Sequence, residues 1–152
     1  MDKTKQKIAF SFLIAIFLAA FEGVVVSTAA PVIVKSLHNF KMISWIFSIF
    51  LLTSAISTPI YGKLADLYGR KRIFMIGISI FLFGSLLAGL SQTMHQLIIF
   101  RGIQGIGAGA IFTIGFTMIG DIFTLEERSI IQGAISTIWG IASLVGPLLG
   151  GF

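Results

Sequence analysis

The chain has 152 residues, of which 56% are apolar and only 11% are charged. A soluble domain of this size cannot hide so much apolar surface, because its surface-to-volume ratio is too high, and lipid is the solvent that fits. Since there is no cysteine, disulfides, thiolate metal sites and cysteine nucleophiles are excluded. The net charge of +5 does not indicate nucleic-acid binding, because the charges lie at the ends of apolar segments and not in an aromatic-rich basic patch.

Five apolar segments are close to the length of about 20 residues that a helix needs to cross a bilayer. They predict an all-α integral membrane protein, a polytopic helical bundle, with helices at about residues 8–34, 43–61, 73–90, 96–120 and 130–152. The predicted connections are residues 35–42, 62–72, 91–95 and 121–129. Thr124 and Glu127 have the spacing of a capping box, which predicts that the fifth helix begins there.

The basic residues predict the orientation. With the N-terminus in the cytoplasm, eight lysines and arginines of the connections and the N-terminal segment face the cytoplasm and two face outward, which agrees with the positive-inside rule. The eight are Lys3, Lys5, Lys7, Lys63, Arg70, Lys71, Arg72 and Arg128, and the two are Lys35 and Lys41. We therefore expect a multi-pass protein of the cell membrane, of bacterial type, with a cytoplasmic N-terminus.

A cleavable signal peptide is the alternative interpretation of the first segment, since three lysines and an apolar run precede Ser27, Thr28 and Ala29. The apolar run is longer than the ~7–15 residues of an h-region, and Pro31 lies close to the cleavage position. Both features favour a membrane helix.

Two ionisable residues lie inside predicted helices, where a charge costs on the order of 2.5–3.5 kcal/mol. Glu22 lies about 21 Å along its helix from Ile8, and Arg101 lies about 8 Å from Gln96 on a helix of opposite direction. Both estimates give a similar depth in the outer half of the membrane. We expect Glu22 and Arg101 to face an internal aqueous cavity and to pair directly or through water, with Gln104 as a polar neighbour. A purely structural ion pair is the alternative.

Small residues are concentrated in the fourth and fifth segments. Residues 105–110 fit the G-x-G-x-x-G/A dinucleotide fingerprint, but that fingerprint needs a strand before it, and this one lies inside an apolar run. Small residues at this spacing instead let membrane helices approach closely. In the fifth segment small residues and one proline predict a smooth, bendable helix face: Gly133, Ala142, Gly146, Pro147, Gly150 and Gly151.

The segment from Gly62 to Arg72 carries five charges between two apolar runs, which predicts a short aqueous loop. It resembles the motif G-x-x-x-D-x-x-G-R-[RK] of the major facilitator superfamily, with Leu67 where many members carry a basic residue. The matching positions are Gly62, Asp66, Gly69, Arg70 and Lys71.

Three further stretches resemble the same superfamily. The fourth-helix motif L-x-x-x-R-x-x-Q-G-x-G-A is matched by Leu97, Arg101, Gln104, Gly105, Gly107 and Ala108. The glycines and Pro147 of the fifth segment resemble the motif of drug:proton antiporters, with Ala142 in place of one glycine. Residues 22–31 resemble the opening of the fourteen-helix drug exporters, with Glu22 in place of the more usual Asp.

The resemblance implies a role for each of these residues. Glu22 would be the proton or cation site, and Arg101 would couple its protonation to the conformational change, with Gln104 beside it. Asp66 and the cluster Arg70–Arg72 would lock a cytoplasmic gate. The fifth-helix glycines and Pro147 would form a sliding interface that suppresses leak.

Transporters of this superfamily have two six-helix halves that rock against each other, so we expect this chain to be an incomplete N-terminal half that needs a C-terminal half as partner. The implied function is proton-coupled export of amphipathic or cationic compounds, powered by the proton gradient without a cofactor. The alternatives are a non-transporting membrane module that oligomerises, and a facilitator or symporter of the same superfamily. We expect no enzymatic activity, and His38 and His95 lie in predicted loops without other ligand-type residues at metal spacing.

Overall fold

The structure is a computed structural model that describes residues 2–37 and 40–150. These residues form helices α1 (Lys3–Leu37), α2 (Ile43–Tyr68), α3 (Arg70–Gly89), α4 (Met94–Ile122) and α5 (Leu125–Gly150), with a short 3-10 helix at Phe40–Met42. All five α-helices are long enough and apolar enough to cross a membrane. Within the described ranges the secondary structure is helical and contains no strand, which confirms the predicted all-α bundle.

The helices extend beyond the apolar segments that predicted them. α1 already begins at Lys3, and α2 continues to Tyr68, so the predicted aqueous loop from Gly62 to Arg72 is wrong in its extent. The physical reason is that apolar content marks where hydrocarbon ends, whereas a helix ends where its backbone hydrogen bonds stop. Charged residues on either side of Gly69 remain helical, and Gly69 alone separates α2 from α3.

Gly69 makes this one-residue connection possible. Its φ of 93° and ψ of 134° lie in a region that L-residues with a side chain rarely adopt. Its N–H donates to the carbonyl oxygen of Ala65 at 3.0 Å, and its own carbonyl oxygen accepts from the N–H of Ile73 at 3.3 Å. Gly69 therefore closes the last turn of α2 and starts the first turn of α3.

The chain divides into two compact units. The first unit combines residues 1–31 with residues 116–152, and the second unit consists of residues 32–115. In the first unit Phe12 is almost completely buried and packs edge-to-face on Phe116, with ring centroids 5.6 Å apart. Val24 of α1 lies against Gly146 of α5, where a Cβ would come within 2.9 Å of the Val24 Cβ.

The α4–α5 connection in the first unit confirms the predicted capping box. The Thr124 N–H donates to Oε2 of Glu127 at 3.1 Å, and the Glu127 N–H donates to Oγ1 of Thr124 at 3.4 Å. The same Oε2 lies 3.1 Å from Nζ of Lys5, which also stands 5.7 Å from the centroid of the Phe123 ring. One carboxylate therefore caps α5 and connects it to the beginning of α1.

Arg128 closes the other side of this connection. Its Nε donates to the Phe123 carbonyl oxygen at 2.9 Å, and its Nη2 donates to the Gly120 carbonyl oxygen. Gly120 lies in the last turn of α4 and Phe123 directly follows that helix, whose last carbonyl groups lack partners within it. A cation also suits the negative end of the α4 dipole.

We predict that Gly69→Ala lowers the free energy of unfolding by about 1–3 kcal/mol, because a Cβ is strained in this backbone region. Thermal unfolding of the full-length protein in detergent measures the change. Gly89→Ala is the matched control, since Gly89 also lies at a helix end but has an ordinary φ and open space around it. Equal losses in the two variants would contradict the assignment.

A double-mutant cycle with Lys5→Met and Glu127→Gln should give a small favourable coupling free energy, as is usual for partly exposed ion pairs. Their side chains are 31% and 18% exposed, so salt should screen the coupling. Chemical unfolding at low and high ionic strength measures it. A coupling that is zero at low salt would show that Lys5 does not stabilise the α4–α5 connection.

Candidate functional site

Arg101 of α4 is a buried cation in the second unit. The residue is only 2% exposed, and it lies in a helix that is apolar enough to cross a membrane. Its Nη1 donates a hydrogen bond of 2.6 Å to Oε1 of Gln104, which is completely buried. The two side chains meet because residues three apart lie on the same face of a helix. The structure thus brings together two of the three residues predicted to couple protons to transport.

Phe50 of α2 covers the other side of the guanidinium. The Cζ atom of Arg101 lies 4.4 Å from the centroid of the Phe50 ring, well within the distance of about 6 Å at which a cation is attracted to an aromatic face. The sequence did not predict a role for Phe50, because nothing in it indicates which of the many phenylalanines contacts Arg101.

Glycines allow α2 and α3 to approach the two sides of α4 around this site. A Cβ on Gly84 of α3 would lie 2.7 Å from the backbone nitrogen of Gln104. A Cβ on Gly105 of α4 would lie 3.0 Å from the Cα of Phe50. The first distance is too short for real atoms, and a Cβ on Gly105 would also overlap the Phe50 carbonyl oxygen, so neither position accepts a side chain without a backbone shift. Arg101 and Gln104 are therefore held between two neighbouring helices.

The same close packing continues along α4. A Cβ on Gly107 would lie 2.7 Å from the Cα of Phe81 in α3, and one on Gly109 would lie 2.8 Å from the Ser54 carbonyl oxygen in α2. Ser57 adds a hydrogen bond of 3.4 Å from its hydroxyl to the Ile106 carbonyl oxygen. The small residues of α4 thus serve helix packing, as the sequence predicted.

The electrostatics of the site follow from this geometry. A guanidinium in apolar surroundings needs hydrogen-bond acceptors or a second charge. Gln104 supplies one acceptor, and no described residue accepts a hydrogen bond from its Nε2 atom. The fixed cation of Arg101 and the Gln104 amide donor are therefore suited to an oxygen-bearing group such as a carboxylate or water.

Glu22, the third predicted coupling residue, is half-buried on α1. It belongs to the first unit, whereas Arg101 belongs to the second. The pairing of Glu22 with Arg101 stays a prediction.

The predicted gating residues surround the α2–α3 junction. Oδ1 of Asp66 lies 3.9 Å from Nη2 of Arg70, with side chains 73% and 33% exposed. Lys71 and Arg72 are exposed in the first turn of α3, and Gly62 makes only an ordinary contact with Thr113, at 3.9 Å from its own hypothetical Cβ. An ion pair this long and exposed contributes little stability by itself.

The predicted single face of small residues on α5 is wrong. Ala142 is completely buried and Gly146 is buried, whereas Gly133 and Pro147 are exposed. At about 100° per residue, Gly133 points almost opposite to Ala142. Gly150 is the last residue of α5, and Gly151 lies outside the described residues. Among the four of these residues whose burial the structure describes, Ala142 and Gly146 share the buried face.

Comparison with known proteins decides the family. Residues 12–152 match the family model described as Major Facilitator Superfamily. The chain belongs to the major facilitator superfamily. Together with five helices that can cross a membrane, this membership makes it part of a multi-pass membrane protein whose outer surface contacts lipid.

Relatives within this superfamily include bacterial and fungal proteins. Multidrug resistance protein 3 of Bacillus subtilis (strain 168) is 43% identical, over 99% of this chain and 30% of its own length. Multidrug transporter protein MdtP of the same organism is 44% identical, over 92% of this chain and 26% of its own length. Efflux pump dotC of Dothistroma septosporum is 40% identical, over 91% of this chain and 24% of its own length. The chain thus spans less than a third of the length of these relatives.

We predict that Gly84→Ala destabilises the full-length protein by about 1–3 kcal/mol, because overpacking forces a buried backbone to move. Gly62→Ala is the control for stability, since its added methyl makes only the ordinary contact with Thr113. Thermal unfolding in detergent compares the two variants. A Gly84→Ala protein as stable as Gly62→Ala would show that α3 and α4 are not in backbone contact at Gln104.

Proposed function

We propose that the protein containing this chain is a proton-coupled exporter of amphipathic or cationic compounds. The observation that carries the proposal is the buried cation Arg101, which is 2% exposed and bonded to Gln104 inside a membrane helix. Ionisable groups at such positions are expensive, and they mark ion and substrate pathways in membrane proteins. The names of the relatives, which include multidrug transporters and an efflux pump, support a transporter and not an enzyme.

In this proposal Glu22 takes up and releases the proton. It is half-buried on α1, and its carboxylate is costly to keep charged in a membrane. Arg101 responds to the charge on Glu22: it is attracted when the carboxylate is ionised and released when it is protonated. Gln104 keeps the guanidinium oriented during this change, since its Oε1 accepts from Nη1.

We also propose roles for the α2–α3 junction, for α5 and for a C-terminal half. The exposed Asp66–Arg70 pair and the neighbouring Lys71 and Arg72 belong to a cytoplasmic gate that opens and closes in the cell membrane. Gly146 and Ala142 form the part of α5 that packs closely, and Pro147 gives the helix a bending point. A C-terminal half supplies the partner against which this half rocks, because transporters of this architecture bind substrate between two halves.

The proposal predicts that Glu22→Gln abolishes transport driven by a pH gradient. Everted membrane vesicles that carry the full-length protein should take up the cationic dye ethidium when their interior is acidified, and the Glu22→Gln vesicles should not. Glu126→Gln is the matched control, because Glu126 is an exposed acid in the first turn of α5. It should transport like the wild type.

Each other outcome has a distinct meaning. Dye uptake that persists in Glu22→Gln would falsify the role of that carboxylate. Transport by the wild type that ignores the pH gradient would indicate a facilitator. No transport of any tested cation would count against an exporter of this substrate class.

A further inference from the structure

Two of the contacts of the Arg101 guanidinium differ in kind. The hydrogen bond to Gln104 lies within α4, so it moves with Arg101 when α4 moves. The Phe50 ring lies on α2, so its contact depends on the distance between α2 and α4. The ring therefore relates the position of the buried charge to the packing of a neighbouring helix.

An aromatic ring holds a cation in a way that a carboxylate cannot. The ring face attracts a guanidinium through its quadrupole and carries no net charge. A carboxylate at the same position would neutralise Arg101 and remove its attraction for other anions. At 4.4 Å from the ring centroid, the guanidinium is therefore restrained by a ring that does not itself neutralise its charge.

The backbone of α4 sets the position of this ring. Gly105 is one turn from Arg101, and a Cβ at Gly105 would lie 3.0 Å from the Cα of Phe50. Any side chain at position 105 would push Phe50 away from the guanidinium. The absence of a side chain at Gly105 thus allows the Phe50 ring to contact the buried charge.

We propose that Phe50 is a positioning residue that holds the Arg101 guanidinium in its buried orientation through the face of its ring. Its consequence for coupling rests on the proposed function, because orientation of Arg101 matters for transport only if Arg101 takes part in it. The contact itself is independent of that function and can be measured separately.

The test replaces Phe50 in the full-length protein by mono-, di- and trifluorophenylalanine, which weaken the quadrupole of the ring and nearly keep its shape. The readout is the rate at which phenylglyoxal modifies Arg101 in detergent, followed by peptide mass spectrometry. We expect this rate to rise with each fluorine, by about 3-fold to 10-fold over the series, as the loss of a cation–π contact predicts. The same series at Phe47, which is half-buried on α2 like Phe50, should leave the rate unchanged.

A flat series at Phe50, or equal slopes at Phe50 and Phe47, would overturn the proposal, since packing alone does not depend on the ring quadrupole. Ethidium transport by the same variants gives the second readout, and kcat should fall along the Phe50 series while KM changes little. If the wild type does not transport ethidium, the proposed function fails, and the modification rates still decide whether Phe50 holds Arg101. A graded modification rate with constant kcat would overturn the positioning role in transport.

Discussion

A guanidinium buried in an apolar helix bundle is the constraint on which the rest of the second unit depends. Such a charge costs on the order of 2.5–3.5 kcal/mol at the centre of a membrane helix, and Arg101 is 2% exposed. The hydrogen bond that Arg101 donates to Gln104 and the ring of Phe50 offset part of this cost. The ring contact is available only because α2 lies close to α4, whereas the hydrogen bond lies within α4 itself.

The glycines of α4 follow from this requirement. Gly105 allows α2 to pack closely against α4, and Gly107 allows α3 to do the same on another side of α4. Helices in lipid gain no hydrophobic driving force from association, so close van der Waals contact must replace it. The pattern that imitates a dinucleotide fingerprint is thus a set of contact points, alternating between two neighbouring helices. On the facing surface of α3, Gly84 lies against the Gln104 backbone.

The sequence predicted the features that depend on composition or on neighbouring residues. The five helices, the Thr124–Glu127 capping box and the pairing of Arg101 with Gln104 on one helix face are of this kind. Helix ends were less predictable, since α2 remains helical beyond its apolar residues as far as Gly69. The positions of Phe50 and Gly133 were not predictable, because they depend on how each helix is rotated about its own axis. That rotation is set by tertiary packing, and small residues are compatible with several rotations.

The charges outside the apolar segments also have more than one role. Arg128 is one of the basic residues that predict a cytoplasmic N-terminus. In the structure it also donates hydrogen bonds to the Gly120 and Phe123 carbonyl oxygens. Glu127, the next residue back, caps α5 and binds Lys5. With so few residues between α4 and α5, adjacent side chains must satisfy the end of one helix and the beginning of the next. A residue that contributes to the predicted orientation therefore also fixes the geometry of this connection, and a substitution at Arg128 would disturb the end of α4.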